Sequence, residues 1–164
     1  MWSDLNGLSH GRYVPARRLH EHGHHAVTTL TMNINRDILQ VDGYAADVGF
    51  PDLSTVPLVE TRRTGWEVDT DVVIADLEYN GESLPIGPRN ALRRAVEAWR
   101  ALGYEPMLGF EMEFYVMQPD ADAPGGYGPL NIPSHRVYGV GIGGDNTGLM
   151  FDMFDAAETC ELDL

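Results

Sequence analysis

The chain has 164 residues, 43% of them hydrophobic, and carries 25 Asp and Glu against 11 Lys and Arg, a formal net charge of −14. That is enough apolar material for one ordinary domain or two small ones, and too much for a disordered chain. All 11 cations are arginine, which excludes a Walker-type phosphate loop and a lysine Schiff base, and an acidic balance of this size argues against nucleic acid or an anionic membrane as partner.

No apolar run reaches the ~18 residues of a membrane span, and the start, MWSDLNGLSH, lacks the basic-then-apolar pattern of a signal peptide. The single cysteine, Cys160, excludes an internal disulfide and fits a reducing compartment, so a cytoplasmic protein is expected.

In chain order, residues 1–20 read as strand, turn and strand, with Asn6-Gly7 as the hairpin signal. HEHGHH follows and places His20, His22, His24 and His25 close together. Imidazole suits zinc, nickel or copper, but closed zinc sites recruit ligands from separate elements and no cysteine is near, so the stretch reads as a solvated loop. Residues 26–34 fit helix or strand, and 37–59, rich in Asp, Gly and Pro, read as loop with short strands. DVVIADLEY at 71–79 reads as one strand, closed by a turn at NGES.

The clearest helix is 87–103, GPRNALRRAVEAWRALG. Pro88 suits its first position, Gly103 its end, and Leu92, Ala95, Val96, Trp99 and Leu102 form one apolar stripe. Arg89 reads as structural, and the paired arginines (17–18, 62–63, 93–94) as local charge balance, such as Arg93 with Glu97. Trp66 and Trp99 read as core or interface anchors. Residues 118–148 look like one long Gly- and Pro-rich loop, whose GVGIGG lacks the strand-turn-helix frame of a dinucleotide site. A last helix over about 147–160 is expected to bury Leu149, Met150, Met153, Phe154 and Ala157, with Cys160 an inert thiol near its end.

The chemistry concentrates in GFEMEFYVM, 109–117. The aromatic and β-branched residues favour a strand. One face would carry Phe110, Met112, Phe114 and Val116; the other would carry Gly109, Glu111, Glu113 and Tyr115. The two carboxylates would then stand roughly 7 Å apart on one face, at about 3.3 Å of rise per residue. Two like charges so placed repel, and solvent, an arginine or a cation relieves them. Oxygen ligands on a rigid strand suit a hard divalent ion such as Mg²⁺ or Mn²⁺.

Taken together, DLNGLSHGRYVPARRL, PDLSTVPLVETRRTGWEVDTDVVIADL and IGPRNALRRAVEAWRALGYEPMLGFEMEFYVM, standing in the family's order over residues 3–117, resemble the glutamine synthetase family. The resemblance implies an α+β chain: an N-terminal β-grasp domain over 1–84, then the opening helix-strand-helix part of the catalytic α/β domain over 85–164, truncated. It implies ATP-dependent ligation of ammonia or an amine to the γ-carboxylate of glutamate through a γ-glutamyl phosphate. ATP and glutamate would be substrates, Mg²⁺ or Mn²⁺ the cofactor, and a homo-oligomer the working form. Glu111 and Glu113 would ligate metal. Asp42, before Gly43, would match the loop that helps bind the ammonium or amine, with Asp47 and Asp52 as competitors.

The sequence departs from the family pattern at His10, where arginine is usual, and at Arg12, where lysine is usual. The larger departure is length: the family's other metal ligands, its glutamate-binding arginines and most of its nucleotide site fall beyond Leu164. The expectation is therefore a family fragment, inactive alone. The alternative is a truncated, non-catalytic homologue that associates with full-length subunits or other partners through an unpaired sheet edge and an apolar helix face.

Overall fold

The computed structural model describes residues 1–111, 113–130, 139–141, 144–145 and 147–163. These divide into two compact units, Met1–Pro106 and Met107–Leu164.

The first unit opens with a hairpin of β1 (Trp2–Ser3) and β2 (Ser9–His10). Asp4 builds its turn. One carboxylate oxygen accepts the N–H groups of Asn6 at 2.8 Å and Leu8 at 2.9 Å, and the other lies 2.9 Å from His10 Nε2. Gly7 supplies the left-handed residue, at φ 80°. The Asp-x-x-Gly-x-x-His spacing is thus a self-contained turn, with a buried carboxylate satisfied from within it.

Four strands make the main sheet: β3 (Gly23–Ala26) and β4 (Asp52–Pro57), then, after the short pair β5 (Arg63–Thr64) and β6 (Asp71–Val72), β7 (Ala75–Tyr79) and β8 (Glu82–Ser83). Their order is β3-β4-β7-β8, and every pairing is antiparallel. Alternation sets the faces. His25 opposite Leu53, and Thr55 opposite Leu77, lie on the inner face; His24, Asp52, Asp76 and Glu78 take the other. Trp2, Val27, Leu30, Leu53, Leu77 and Leu84 form the core, with Tyr44, Phe50, Tyr79 and Ile86 against it. Asn80 and Gly81, at φ 54° and 78°, form the two-residue turn between β7 and β8.

Three expectations are corrected here. The stretch over 26–34 is not a single helix or strand: Ala26 ends β3. A tight 3₁₀ turn follows at Val27–Thr29, which drives Val27, Leu30 and Thr31 inward. His24 and His25 sit on β3, not in a loop. The strand expected over 71–79 breaks after Val72, because β6 pairs with β5 while β7 pairs with β4.

α1 (Pro88–Ala101) begins at Gly87 with Pro88 in its first turn. It ends in a Schellman cap: Gly103 N–H donates to the Arg100 carbonyl at 2.9 Å, and Tyr104 N–H to the Trp99 carbonyl at 3.1 Å. Trp99 and Tyr104 pack edge to face at 5.8 Å, the contact that accompanies this motif. The helix is tied down by polar groups. Asn90 is its buried residue and donates to the carbonyls of Leu77 and Leu84, both at 3.0 Å. Asp76 accepts from Arg89 at 2.8 Å and Arg93 at 2.6 Å. Arg93 therefore serves Asp76 and Asn90, not Glu97. The apolar stripe stays out: Leu92, Trp99 and Leu102 are exposed, as is Trp66, so neither expected tryptophan anchor lies in the core. Trp2 does.

In the second unit, β9 (Met117–Pro119) pairs antiparallel with β10 (Tyr127–Pro129), so the loop expected from 118 contains a hairpin. α2 (Leu149–Thr159) starts after Asp145, which accepts the Met150 N–H at 2.7 Å and the Thr147 hydroxyl at 2.8 Å. Ala157 and Cys160 are buried, whereas Met150 and Phe154, expected inside, are exposed. The described residues are thus mixed α and β, with small antiparallel sheets and the two α-helices α1 and α2.

Candidate functional site

The strand expected over 109–117 is not formed across its length. Residues 107–111 and 113–116 pair with no strand among the described residues, and ladder pairing begins at Met117. The nearest support is a single bond, Leu130 N–H to the Val116 carbonyl at 2.8 Å. A strand is held by its neighbour's backbone, and no neighbour flanks 109–116 among the described residues. Met112, between the two glutamates, lies outside those residues.

Glu111 and Glu113 are both exposed, and neither has a hydrogen-bond or ion-pair partner among the described residues. Each offers hard oxygen donors of the kind magnesium or manganese takes. No group of three or more acidic, histidine or cysteine side chains is gathered to hold an ion among the described residues. Magnesium asks for six oxygens in near-octahedral array. The donors therefore fit such an ion in kind and fall short of it in number.

Asp42 lies in an exposed turn of the first unit, closed by Tyr44 N–H to the Val41 carbonyl, with Gly43 at φ 78°. Asp47, in the 3₁₀ turn at Ala46–Val48, and Asp52, at the start of β4, are exposed as well. The histidines do not converge: His24 and His25 point to opposite faces of β3, and His20 and His22 are exposed. Residues 142 and 143 of GVGIGG lie outside the described set.

The polar residues that sequence reasoning missed are Asp4, Asp76 and Asn90, each holding an element in place. For Asp4 and Asn90 a local signal existed, in Asp-x-x-Gly and in Asn two places after a helix-starting proline. For Asp76 there was none, because its arginines come from a helix 13 and 17 residues on. The first unit also contains an apolar cleft of about 380 Å³, lined by Met1, Trp2, Ile74, Leu77, Pro88 and Leu92 among others. No helix among the described residues is long and apolar enough to cross a membrane.

The family model for the catalytic domain of glutamine synthetase matches residues 85–153. Glutamate–isopropylamine ligase of a Pseudomonas species is 37% identical over 83 residues, covering 49% of this chain and 18% of that protein. Gamma-glutamylputrescine synthetase of Escherichia coli (strain K12) is 25% identical over 176 residues, covering 99% of this chain and 36% of that protein. Gamma-glutamylethanolamide synthetase of Streptomyces coelicolor is 32% identical over 124 residues, covering 70% of this chain and 27% of that protein. The chain thus spans between 18% and 36% of the length of these relatives. No solved structure matches it.

Proposed function

Because this chain belongs to the glutamine synthetase family, we propose that its sequence contributes to an ATP-dependent ligase. That enzyme joins an amine, or ammonia, to the γ-carboxylate of glutamate through a γ-glutamyl phosphate. The observation that carries this reading is the family match over 85–153, which spans both glutamates of the Glu-x-Glu pair. Three relatives whose names specify amine ligation favour an amine as the acceptor. In the same reading residues 1–84 form a β-grasp-like domain and 85–164 the start of the catalytic domain. Asp42 serves the amine site, the working protein is a homo-oligomer, and the free Cys160 suits the cytoplasm.

Glu111 and Glu113 would hold Mg²⁺ or Mn²⁺. Such an ion neutralises phosphate charge and aligns the transferring group. Two carboxylates do not complete its shell, so residues 1–164 alone release no phosphate from ATP and glutamate. The test is a chimera in which this chain replaces the aligned portion of the Escherichia coli relative. It should form γ-glutamyl amide, and Glu111→Gln or Glu113→Gln should each cut the rate by about 100-fold or more, since even outer-shell partners of a metal are worth about 10–100-fold. Full activity with both glutamates replaced would overturn the metal assignment. Phosphate release by the isolated chain would overturn its inactivity.

A second reading is supported by the exposed stripe of Leu92, Trp99 and Leu102 on α1. There the chain is a non-catalytic homologue that associates with full-length subunits through that face. Co-purification with a full-length homologue, lost in Leu92→Glu/Trp99→Glu, distinguishes it.

A further inference from the structure

The hairpin of β1 and β2 rests on the sheet through one aromatic side chain with an imidazole on each of two sides. Trp2 is 6% exposed and belongs to the core. The His10 ring stacks on it at 4.6 Å and 22°, and the His25 ring meets it at 5.6 Å and 74°. Among the described residues its buried indole N–H has no hydrogen-bond partner, and the contacts that hold the Trp2 side chain there are packing contacts. Backbone contact is slight: Ala75 N–H to the Met1 carbonyl at 2.8 Å, and the Met1 amino group to the Val73 carbonyl at 2.6 Å.

We propose that this hairpin is an acid-released latch: when His25 takes up a proton, Trp2 and the hairpin lift from the sheet and open the apolar cleft beneath Met1 and Trp2.

The charges around His25 all push the same way. His10 and the exposed Arg12 come from the hairpin side, the Met1 amino group from the start of the chain, and His24 from its own strand. Asp4, the carboxylate of the hairpin, is already engaged by His10 and two backbone N–H groups. Across the sheet Leu53 faces His25; beyond it on that face lie Thr55, Leu77 and Tyr79, with Glu82 at the far edge. Asp52, Asp76 and Glu78 belong to the opposite face. Among the described residues an imidazolium at 25 therefore meets like charge and desolvation, with no free carboxylate beside it. Burial, then Arg12, His10, the amino terminus and His24, hold the His25 ring below its ordinary value. For a base lowered by folding, the contribution to stability is whole above the unfolded value of about 6.5 and is lost as pH falls through the lower folded one. The latch thus opens on the acid side of neutrality.

The experiment uses the full chain carrying Trp66→Phe and Trp99→Phe, so that Trp2 is the only indole. Emission maximum and acrylamide quenching are followed from about pH 8 to pH 5, the window in which histidine changes charge, with far-ultraviolet circular dichroism alongside. Emission should move to longer wavelength and quenching should rise while the dichroism holds. Both changes should vanish in His25→Phe and in His25→Gln. Two variants are used because either one alone could perturb packing at the half-buried site. An unmoved Trp2 signal over that range overturns the latch. So does a shift that occurs only with general loss of secondary structure, or one that survives in both variants.

Discussion

Both compact units expose large apolar side chains, but among the described residues only the first gathers others into a buried cluster. In Met1–Pro106 the fully buried Leu30, Leu53, Leu84 and Val27 meet Trp2 and Leu77 inside one cluster. In Met107–Leu164 comparable side chains point outward, with Met107 at 96% exposure, Phe110 at 83% and Tyr115 at 90%, while Ala157 and Cys160 are buried. Amphipathic patterning alone does not separate the two, for both units carry it. Among the described residues the difference is a facing surface. In the first unit the hairpin, the 3₁₀ turn at 27–29 and the four-stranded sheet each supply the others' cover. In the second, 109–116 has no flanking strand among the described residues. Periodicity states which face would be buried; a second element decides whether it is.

The most direct way to break this contrast is a pair of truncations in the full chain. Leu53 is completely buried, and Leu53→Ala should cost about 2–5 kcal/mol through lost transfer energy and the cavity it leaves. Phe114 is mostly exposed, and Phe114→Ala should stay within about 0.5 kcal/mol. Urea melts followed by circular dichroism measure both. Equal losses would mean that the second unit has a core of its own.

A smaller effect sharpens the account of the first unit. Burial raises the Asp4 carboxyl, but hydrogen bonds from His10 and from the N–H groups of Leu8 and Asn6, with the attraction of His10, outweigh it and leave the group below its ordinary value. The stability it contributes is present above its unfolded value of about 3.9 and is lost as pH falls through the lower folded value. Asp4→Ala strands the turn's donors and should cost about 1–3 kcal/mol near neutral pH. That cost should shrink in acid melts carried below about pH 4, where the unfolded carboxyl begins to hold its proton. A loss that stays constant down to the acid limit would assign Asp4 a purely steric role.

What was legible in the sequence was local. Asn6-Gly7 and Asn80-Gly81 announced their turns through residues that accept positive φ, and α1 was bounded by Pro88 and Gly103. What was hidden depended on distant partners. The break inside 71–79 arises because Val72 and Ala75 answer to different strands, β5 and β4. Trp2 is core while Trp66 and Trp99 are exposed, a difference no tryptophan advertises in its neighbours along the chain. The candidate site divided likewise. The chemistry of Glu111 and Glu113 could be read from residue type, but whether a strand forms around them depends on who pairs with it.

The smallest predicted effect concerns the boundary between the two behaviours. α1 stops at a Schellman cap whose Gly103, at φ 84°, stands four residues before Met107, the first apolar side chain of the second unit. A Cβ placed at Gly103 meets nothing within 4 Å among the described residues, so steric contact with them does not enter. What remains is the left-handed backbone, disfavoured for L-residues by roughly 1–2 kcal/mol, against a gain of about 0.4–1 kcal/mol from a stiffer unfolded chain. Gly103→Ala should therefore destabilise the first unit by roughly 0.5–1 kcal/mol in a urea melt. The edge-to-face contact of Trp99 with Tyr104 depends on the same cap, so Trp99 emission should shift with the loss. A neutral or stabilising Gly103→Ala would mean that the helix does not end where its glycine places it.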